Sequence, residues 1–495
     1  MLRPISNQSK SLDEISKVIS AHSNIDISEM NEIRITGISQ SSNDVEEGDI
    51  FIALAGEKTH GAQFAPDAIQ RGAKAVLTDT AGAALISGVP VLITNNPRRS
   101  AGVLSAWFHN EPMRDLYSVG ITGTNGKTTV TTILHQIMSL AGRESGLIGT
   151  IETRIGSEVL ISKRTTPEST ELQSLAAVMR ERHMRNLVME VSSHAIALDR
   201  IRGSHFAVVG FTNLSQDHLD FHKTMDKYFE AKSALFTFEY ADLAVINIDD
   251  SYGKKLQERT ELPVITLSRT NTEADWHYSD ISSEYYGAHI AIRGSGGILI
   301  EGKVNLHGGY NYDNLLMAVA IAVESGIDPI DIASLLPKLR GASGRLESVV
   351  LGQKFAAFVD YAHSPDAVAR VLETARELSM GRVIGVLGCG GDRDRTKRSA
   401  MGRALKEGSD VAIFTSDNPR SESAEDILKE MTTGIETASV ITDRARAIRS
   451  AVNEAGDGDV VIILGKGHET GQDIAGVVHP FDDRIELAKA IEEKK

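Results

Sequence analysis

"YSVGITGTNGKTTV", residues 117–130, decides how this chain is read. An apolar run, a glycine turn and then helix-forming residues spell a buried strand, a tight loop and a helix start. Backbone N–H groups at such a helix N-terminus receive anions, and glycines let phosphate oxygens come close. The usual phosphate loop, G-x-x-x-x-G-K-[ST], needs glycine where Ile121 stands. Here the glycines are Gly120, Gly123 and Gly126, followed by Lys127, Thr128 and Thr129. A plain strand-to-helix turn competes, but Gly-Lys-Thr-Thr between strand and helix favours nucleotide. Gly123, Thr124, Asn125, Gly126 and Thr129 would then form the cradle for the phosphates of a nucleotide. Lys127 would bring a point charge to the outer phosphates, and Thr128 a hydroxyl to Mg²⁺.

Outward from this stretch the chain alternates strand and helix. Val130, Ile133, Leu134, Ile137 and Met138 recur at helical spacing, with Gly142 as the stop. Apolar runs at 186–192, 206–213 and 242–249 read as further strands of a mainly parallel, covered sheet. Residues 285–305 read as antiparallel hairpins turning at Gly-Ser-Gly-Gly, followed by a helix around 313–326. Before residue 97 the shorter runs "DIFIAL", "AVLT" and "PVLIT" suggest a small α/β domain. After "LRGASGRLE" the alternation restarts with strands at 355–361, 382–388, 410–417 and 459–465. The expectation is an α/β chain of three domains. They are a small N-terminal domain at 1–96, a central P-loop nucleotide-binding domain with a mainly parallel sheet at 97–344, and a doubly wound, Rossmann-like C-terminal domain at 345–495.

The bulk numbers agree. At 495 residues the chain is too long for one core. A net charge of −15 argues against nucleic-acid and anionic-membrane partners. One cysteine, Cys389, fits a reducing compartment. The opening "MLRPISNQSKSLDEIS" lacks a signal-peptide core, and no apolar run approaches the roughly 18 residues of a membrane span. A cytoplasmic monomer acting on small molecules, without membrane insertion, is expected.

Ligands of open α/β sheets sit beyond the carboxyl ends of strands. In the last third those ends read "DYAHSPD", "GCGGDRDRTKR", "SDNPR" and "GKGHE", four polar clusters that suggest one shared site. "DNPR" also reads as a turn and helix start, with Asp417 or Asn418 as cap and Pro419 in the first turn. That leaves Arg420 unexplained, and a guanidinium fork suits a ligand carboxylate. In the central domain, Glu190 ends the strand of "VMEVSSHA", where it can hold Mg²⁺ or cap a helix. His218 and His222, four residues apart, resemble half a zinc site, but no third ligand stands at a telling spacing. Lys232 sits among apolar residues in "YFEAKSALF", and residue physics alone predicts that it snorkels to water.

In this order, "GITGTNGKTT", "EVSSH", "NLSQDHLDFH", "EAKSALF", "GRLE", "DYAHSPDA" and "GKGHE" resemble the Mur ligases of peptidoglycan synthesis. The resemblance covers essentially the whole chain, and this family spells its loop G-T-N-G-K-T. It implies that ATP phosphorylates the D-Glu side-chain carboxylate of UDP-MurNAc-L-Ala-D-Glu, and that the amine of a third amino acid displaces phosphate. By resemblance, Thr128, Glu190, His218 and Lys232 would be Mg²⁺ ligands for two ions, with Lys232 carbamylated to N6-carboxylysine. Lys127, Lys232 and His218 would serve catalysis. Asn314, Arg345 and Asp360 match residues around adenine and ribose. Thr165, Thr166, Ser193 and Arg200 match positions that hold the MurNAc-dipeptide, while Ser42 and "EKTHG" (57–61) would meet the uridine end. Arg398, Asp417, Asn418, Pro419, Arg420, Gly465 and Glu469 match the amino-acid pocket. Family members with Arg in "DNPR" resemble those taking meso-diaminopimelate, whose second carboxylate the Arg would grip. Here "SESA" follows "DNPR" instead of the acid-Pro pair common in the family. The alternatives are a sibling ligase adding lysine or ornithine, a folylpolyglutamate synthase-like ligase, or a nucleotide switch with no ligase site. A switch would predict an N-K-x-D stretch or ordinary loop spacing, and neither is present.

Overall fold

The computed structural model describes residues 2–6, 9–56, 58–284 and 287–494. Its loop strand, Tyr117–Thr122, lies between Asn186–Glu190 and Phe206–Phe211, parallel to both. Ser145–Ile148 continues the parallel order on one side, Ala241–Asn247 and Val264–Ser268 on the other. The antiparallel strands Glu152–Ile155 and Glu158–Ile161 form one edge. Trp276–Glu284, Gly287–Gly294 and Ile298–Val304 complete the order of eleven. The hairpin expectation for 285–305 begins at Tyr285 and Tyr286, which lie outside the described residues; the turn at 295–297 falls where the glycines put it.

Helix Lys127–Leu140 follows the loop and buries Ile133, Leu134, Ile137 and Met138 completely. It ends two residues before Gly142, whose positive φ of 75° suits a residue without Cβ. A five-stranded sheet built from Gly37–Ser39, Asp49–Ile52, Ala75–Thr78, Val91–Ile93 and His22–Ser23 forms the small N-terminal part. Helix Pro97–Phe108 packs from it onto helix Ser169–Glu181. These two sheets fall mainly in one compact unit, Met1–Ser279 with Ile292–Ile300 and Asp313–Leu335.

The second unit comprises Asp280–Ala291, Glu301–Tyr312 and Leu336–Lys495. Its six-stranded sheet runs Glu347–Ser348, Ala356–Asp360, Val460–Leu464, Val383–Leu387, Val411–Phe414, Ser439–Val440. All pairs after the first are parallel. Parallel strands align their carboxyl ends, so all four polar clusters emerge at one edge. Apolar clusters cover both faces of this sheet, as a doubly wound fold requires. Among the described residues no helix is long and apolar enough to cross a membrane.

Candidate active site

In the first unit the phosphate loop is shaped by two left-handed glycines, Gly123 at φ 146° and Gly126 at φ 90°. A Cβ on Gly126 would run into the side-chain amide of Asn314, and one on Gly123 into the Thr212 hydroxyl. Asn314 therefore sits against the loop. The backbone N–H of Thr124 donates to Asn213 O at 2.8 Å, and that of Asn125 to Asn213 Oδ1 at 3.1 Å. Lys127 Nζ folds back to donate to the carbonyls of Gly123 (3.0 Å) and Thr124 (2.9 Å). Thr128 and Thr129 are buried in the first helical turn.

Glu190 ends its strand beside this turn. Its Oε2 accepts from Thr128 Oγ1 and from Thr150 Oγ1, each at 3.0 Å, and its Oε1 from the Thr150 N–H at 2.7 Å. Helix Ser193–Ala197 is capped by Ser192, so Glu190 is not the capping acid. Thr150 links onward to Thr165 at 3.0 Å, and Thr166 Oγ1 donates to Glu190 O at 2.9 Å. Arg200 lies next to them, 3.0 Å from the Glu168 carboxylate. His222 is buried, and its Nε2 meets Ser193 Oγ at 2.9 Å, so that ring nitrogen is engaged inside the protein. Among the described residues no three His, Cys, Asp or Glu side chains gather as a metal-holding group.

Lys232 corrects the reading from residue physics. It does not snorkel: only 1% of it is exposed, in helix Met225–Ser233. Nζ donates to Gly123 O at 2.7 Å and stands 4.8 Å over the Tyr228 ring. Burial, then the nearby Lys127 charge, push its pKa well below the ordinary value, toward a neutral amine. His218, at a left-handed φ of 53°, stands 3.5 Å from Asp217 and is likewise held below its ordinary pKa, first by burial.

Elsewhere in this unit Ser42 opens a short turn, Ser42–Asp44. Of "EKTHG", Glu57 lies outside the described residues. His60 caps a turn by accepting from Ala62 N–H at 3.0 Å and faces Asp79 at 3.2 Å.

The second unit brings its four polar clusters together, "DYAHSPD" meeting "GKGHE" through the Gly465 N–H on Asp360 O at 3.1 Å and the Tyr361 and His468 rings 5.1 Å apart. The backbone N–H of Asn418 donates to Asp417 Oδ1 at 2.6 Å, and Asn418 Nδ2 donates to Glu469 Oε2 at 2.7 Å. Gly465, at φ 109°, leaves no room for a Cβ, which would stand 2.8 Å from Asp417 Oδ2. Arg420 adopts a left-handed φ of 52°. Its N–H donates to Asp473 O at 3.0 Å, its carbonyl accepts from Ala475 at 2.8 Å, and Nη1 donates to Gly391 O at 2.6 Å. "DNPR" is thus an irregular loop and not a helix start. The following helix, Ala424–Met431, is capped by Ser423 instead. The unusual "SESA" is accounted for by Ser421 donating to Asp392 at 2.6 Å and by Glu422 pairing with Arg398.

Arg398 is buried. It donates to Glu422 at 2.7 and 2.9 Å, to Glu430 at 2.8 Å and to Gly390 O at 3.2 Å. The Arg398 hydrogen bond pulls the Glu422 carboxyl down to about 2. In this unit Asp360 is buried, accepting from the N–H groups of Leu346 (2.6 Å) and Ala362 (2.7 Å), and Arg345 lies 4.6 Å over the Tyr361 ring. Burial raises the Asp360 pKa, while Arg345 opposes it.

Sequence reasoning passed over several residues. Thr150 carries no motif signal. Arg444, completely buried, pairs with Asp483 at 2.6 Å and donates to Ser416 O (3.3 Å) and Leu464 O (2.8 Å), bracing the strand ends before "DNPR" and "GKGHE". Lys466 lies between two glycines in "GKGHE", and no local pattern signals that it is buried.

These two sites, a phosphate loop on a parallel sheet and a polar strand edge on a doubly wound one, match known families part by part. The Mur ligase family catalytic domain matches residues 34–106, the Mur ligase middle domain 121–322, and the Mur ligase glutamate ligase domain 344–467. The chain belongs to the Mur ligase family. It is 46% identical over 468 residues to the UDP-N-acetylmuramoyl-L-alanyl-D-glutamate--2,6-diaminopimelate ligase of Streptomyces coelicolor, covering 92% of each chain. The like-named ligase of Aquifex aeolicus is 42% identical over 453 residues, 91% of this chain and 92% of that one. A solved structure of a ligase with this name is 32% identical, covers 98% of this chain and 99% of its own, and has a TM-score of 0.71.

Proposed function

We propose that this chain is an ATP-dependent amide ligase that adds meso-2,6-diaminopimelate to UDP-N-acetylmuramoyl-L-alanyl-D-glutamate. The γ-phosphoryl group of ATP passes to the D-Glu side-chain carboxylate, giving ADP and an acyl phosphate. The amine of diaminopimelate then attacks the acyl carbon. The C–N bond forms, the C–O bond to phosphate breaks with its electron pair leaving on phosphate, and the new nitrogen loses its proton.

Two anionic reactants must meet, and the loop residues Gly123 to Thr129, with Lys127 foremost, would neutralise and orient the phosphates. Asn314, Arg345 and Asp360 would take the nucleoside. The MurNAc-dipeptide would lie along Thr165, Thr166, Ser193 and Arg200, with Ser42 toward the uridine. Glu190, Thr128 and His218 offer a hard carboxylate, a hydroxyl and an imidazole suited to Mg²⁺. When bound, the ion would screen charge on the transferring phosphoryl group. Lys232 as an ammonium does not fit a cation site. As the neutral amine that burial favours, its lone pair can form an N–C bond to CO₂, with one C=O pair moving onto oxygen and one amine proton released to solvent; the carbamate would then be an anionic oxygen ligand. We read 1–96 as the uridine part, 97–344 as the ATPase part and 345–495 as the amino-acid part, working in the cytoplasm.

The observation that carries the amino-acid choice is the pairing of opposite receptors at one strand edge. Arg420 is a cation shaped for a carboxylate and Glu469 an anion shaped for an ammonium, both tethered through the Asn418 loop. A lysine side chain would bring an ammonium to Arg420 and be repelled. The test is ATP-dependent phosphate release and product mass with the UDP-linked acceptor, offering diaminopimelate, lysine and ornithine separately. Turnover with diaminopimelate alone is expected. Turnover with lysine would overturn the role given to Arg420, and no turnover with any of the three would overturn the ligase reading.

A further inference from the structure

Lys466 is completely buried, yet it carries a charge and belongs to no function assigned above. It follows strand Val460–Leu464 between two left-handed glycines, Gly465 at φ 109° and Gly467 at φ 53°. Side-chain-bearing residues avoid that backbone, so the two glycines let the chain reverse around Lys466 and turn its side chain inward. A buried ammonium is costly unless paired and hydrogen-bonded. Here Nζ donates to Asn418 Oδ1 and to Glu469 Oε2, each at 3.0 Å.

Those two acceptors already touch one another, since Asn418 Nδ2 donates to the same Glu469 Oε2 at 2.7 Å. Asn418 Oδ1 also accepts from the Asp473 N–H at 3.0 Å. The result is a closed triangle. Two donors on Oδ1 fix which way the Asn418 amide faces, because a flipped amide would present N–H to an ammonium. Glu469 Oε2 is occupied by two donors, whereas Oε1 has no hydrogen bond among the described residues and remains available to an incoming ammonium.

We infer that Lys466 is a positioning residue for the amino-acid substrate, locking the Asn418 amide and one oxygen of Glu469 so that both present their remaining polar atoms to a zwitterion. It touches neither ATP nor acceptor in this role. The inference rests on the amino-acid pocket proposed above. Its effect therefore falls on capture of the third amino acid and not on formation of the acyl phosphate.

The test compares wild type with Lys466→Met, which keeps the stem and removes the charge, and with Lys466→Gln, which keeps an N–H donor. KM is measured separately for ATP, for the UDP-linked acceptor and for diaminopimelate. Acyl-phosphate formation is read without amino acid, by positional isotope exchange in ATP. Lys466→Met is expected to raise the KM for diaminopimelate at least tenfold, with Lys466→Gln between it and wild type. The other two KM values and the isotope exchange stay within about threefold, a split that general loosening would not give. An unchanged diaminopimelate KM in Lys466→Met, or an equal rise for all three substrates in either variant, overturns the inference. If wild type itself does not use diaminopimelate, the pocket reading fails first, and that outcome is distinct.

Discussion

At the residue scale, the sharpest expectation concerns Lys232. Its amine is buried, held at 2.7 Å by Gly123 O, and depressed well below its ordinary pKa by desolvation. Lys232→Met retains the stem and removes a desolvated amine, so the fold should survive. We expect phosphate release to fall by about 10²-fold or more, the scale of losing one group that stabilises developing charge. The melting temperature should move by no more than about 2 °C, the upper end of the shift that about 1 kcal/mol produces in a chain of this size. Full activity in this variant would exclude a role for the amine or its carbamate. Arg420 gives the opposite kind of test. A non-glycine residue at φ 52° costs about 1 kcal/mol of backbone strain. Arg420→Gly should therefore leave the melting temperature unchanged or raise it, while use of diaminopimelate falls about 10²-fold and the KM for ATP is kept. A parallel loss of stability and activity would show that Arg420 is structural. Both residues also show what a sequence can hide. Arg420 stood out because a turn did not need it, whereas Lys232 looked like any helix lysine. Its burial is decided by Gly123 and Tyr228, and Gly123 lies more than a hundred residues away in the chain.

Among elements, the strands and the loop helix were legible because their period is local. The apolar run at 117–122 and the 3.6-residue stripe through Met138 each carry their own signal, and Gly142 marks the stop. "DNPR" misled because its turn residues satisfy a helix-start pattern. The loop is instead pinned by the strands Gly471–Ile474 and Val477–Pro480, through Asp473 and Ala475. No local pattern announces that. The Arg444–Asp483 pair is likewise invisible in sequence, yet it ties the helix Arg444–Glu454 and the helix Asp483–Lys494 to two strand ends. Both side chains are completely buried. Breaking such a pair leaves an uncompensated charge, at a cost of about 3–5 kcal/mol. Arg444→Met should lower the urea midpoint accordingly, and adding Asp483→Leu should restore most of the loss. If the double variant is as unstable as the single, the cost lies in the carbonyls of Ser416 and Leu464 and not in the stranded carboxylate.

For the whole molecule, the two compact units share one acid liability. Burial pushes His109 and His135 in the first unit, and His307 and His468 in the second, each down to about 4. A histidine ordinarily titrates near 6.5, so the unfolded chain takes up a proton at each site before the folded one does. The stabilisation is therefore complete above pH 6.5 and is lost as the pH falls toward 4, by up to about 1.4 kcal/mol per pH unit for each histidine. Asp313, raised by burial to about 6, acts the other way in the first unit, because the folded state binds its proton more readily below pH 6. The melting temperature should accordingly drop between pH 6.5 and pH 5, and one side chain's share of the drop can be isolated. His307 is 4% exposed, its shift has desolvation as the sole cause, and its ring packs edge-on against Phe358 at 5.3 Å. His307→Phe replaces a ring that must not be charged with one that cannot be. It should raise stability at pH 5 more than at pH 7.5 and flatten the second unit's pH slope by close to one proton, as read by calorimetry across that range. An unaltered slope would mean that His307 gains its proton in the folded state as readily as in the unfolded one, and that burial does not govern its titration.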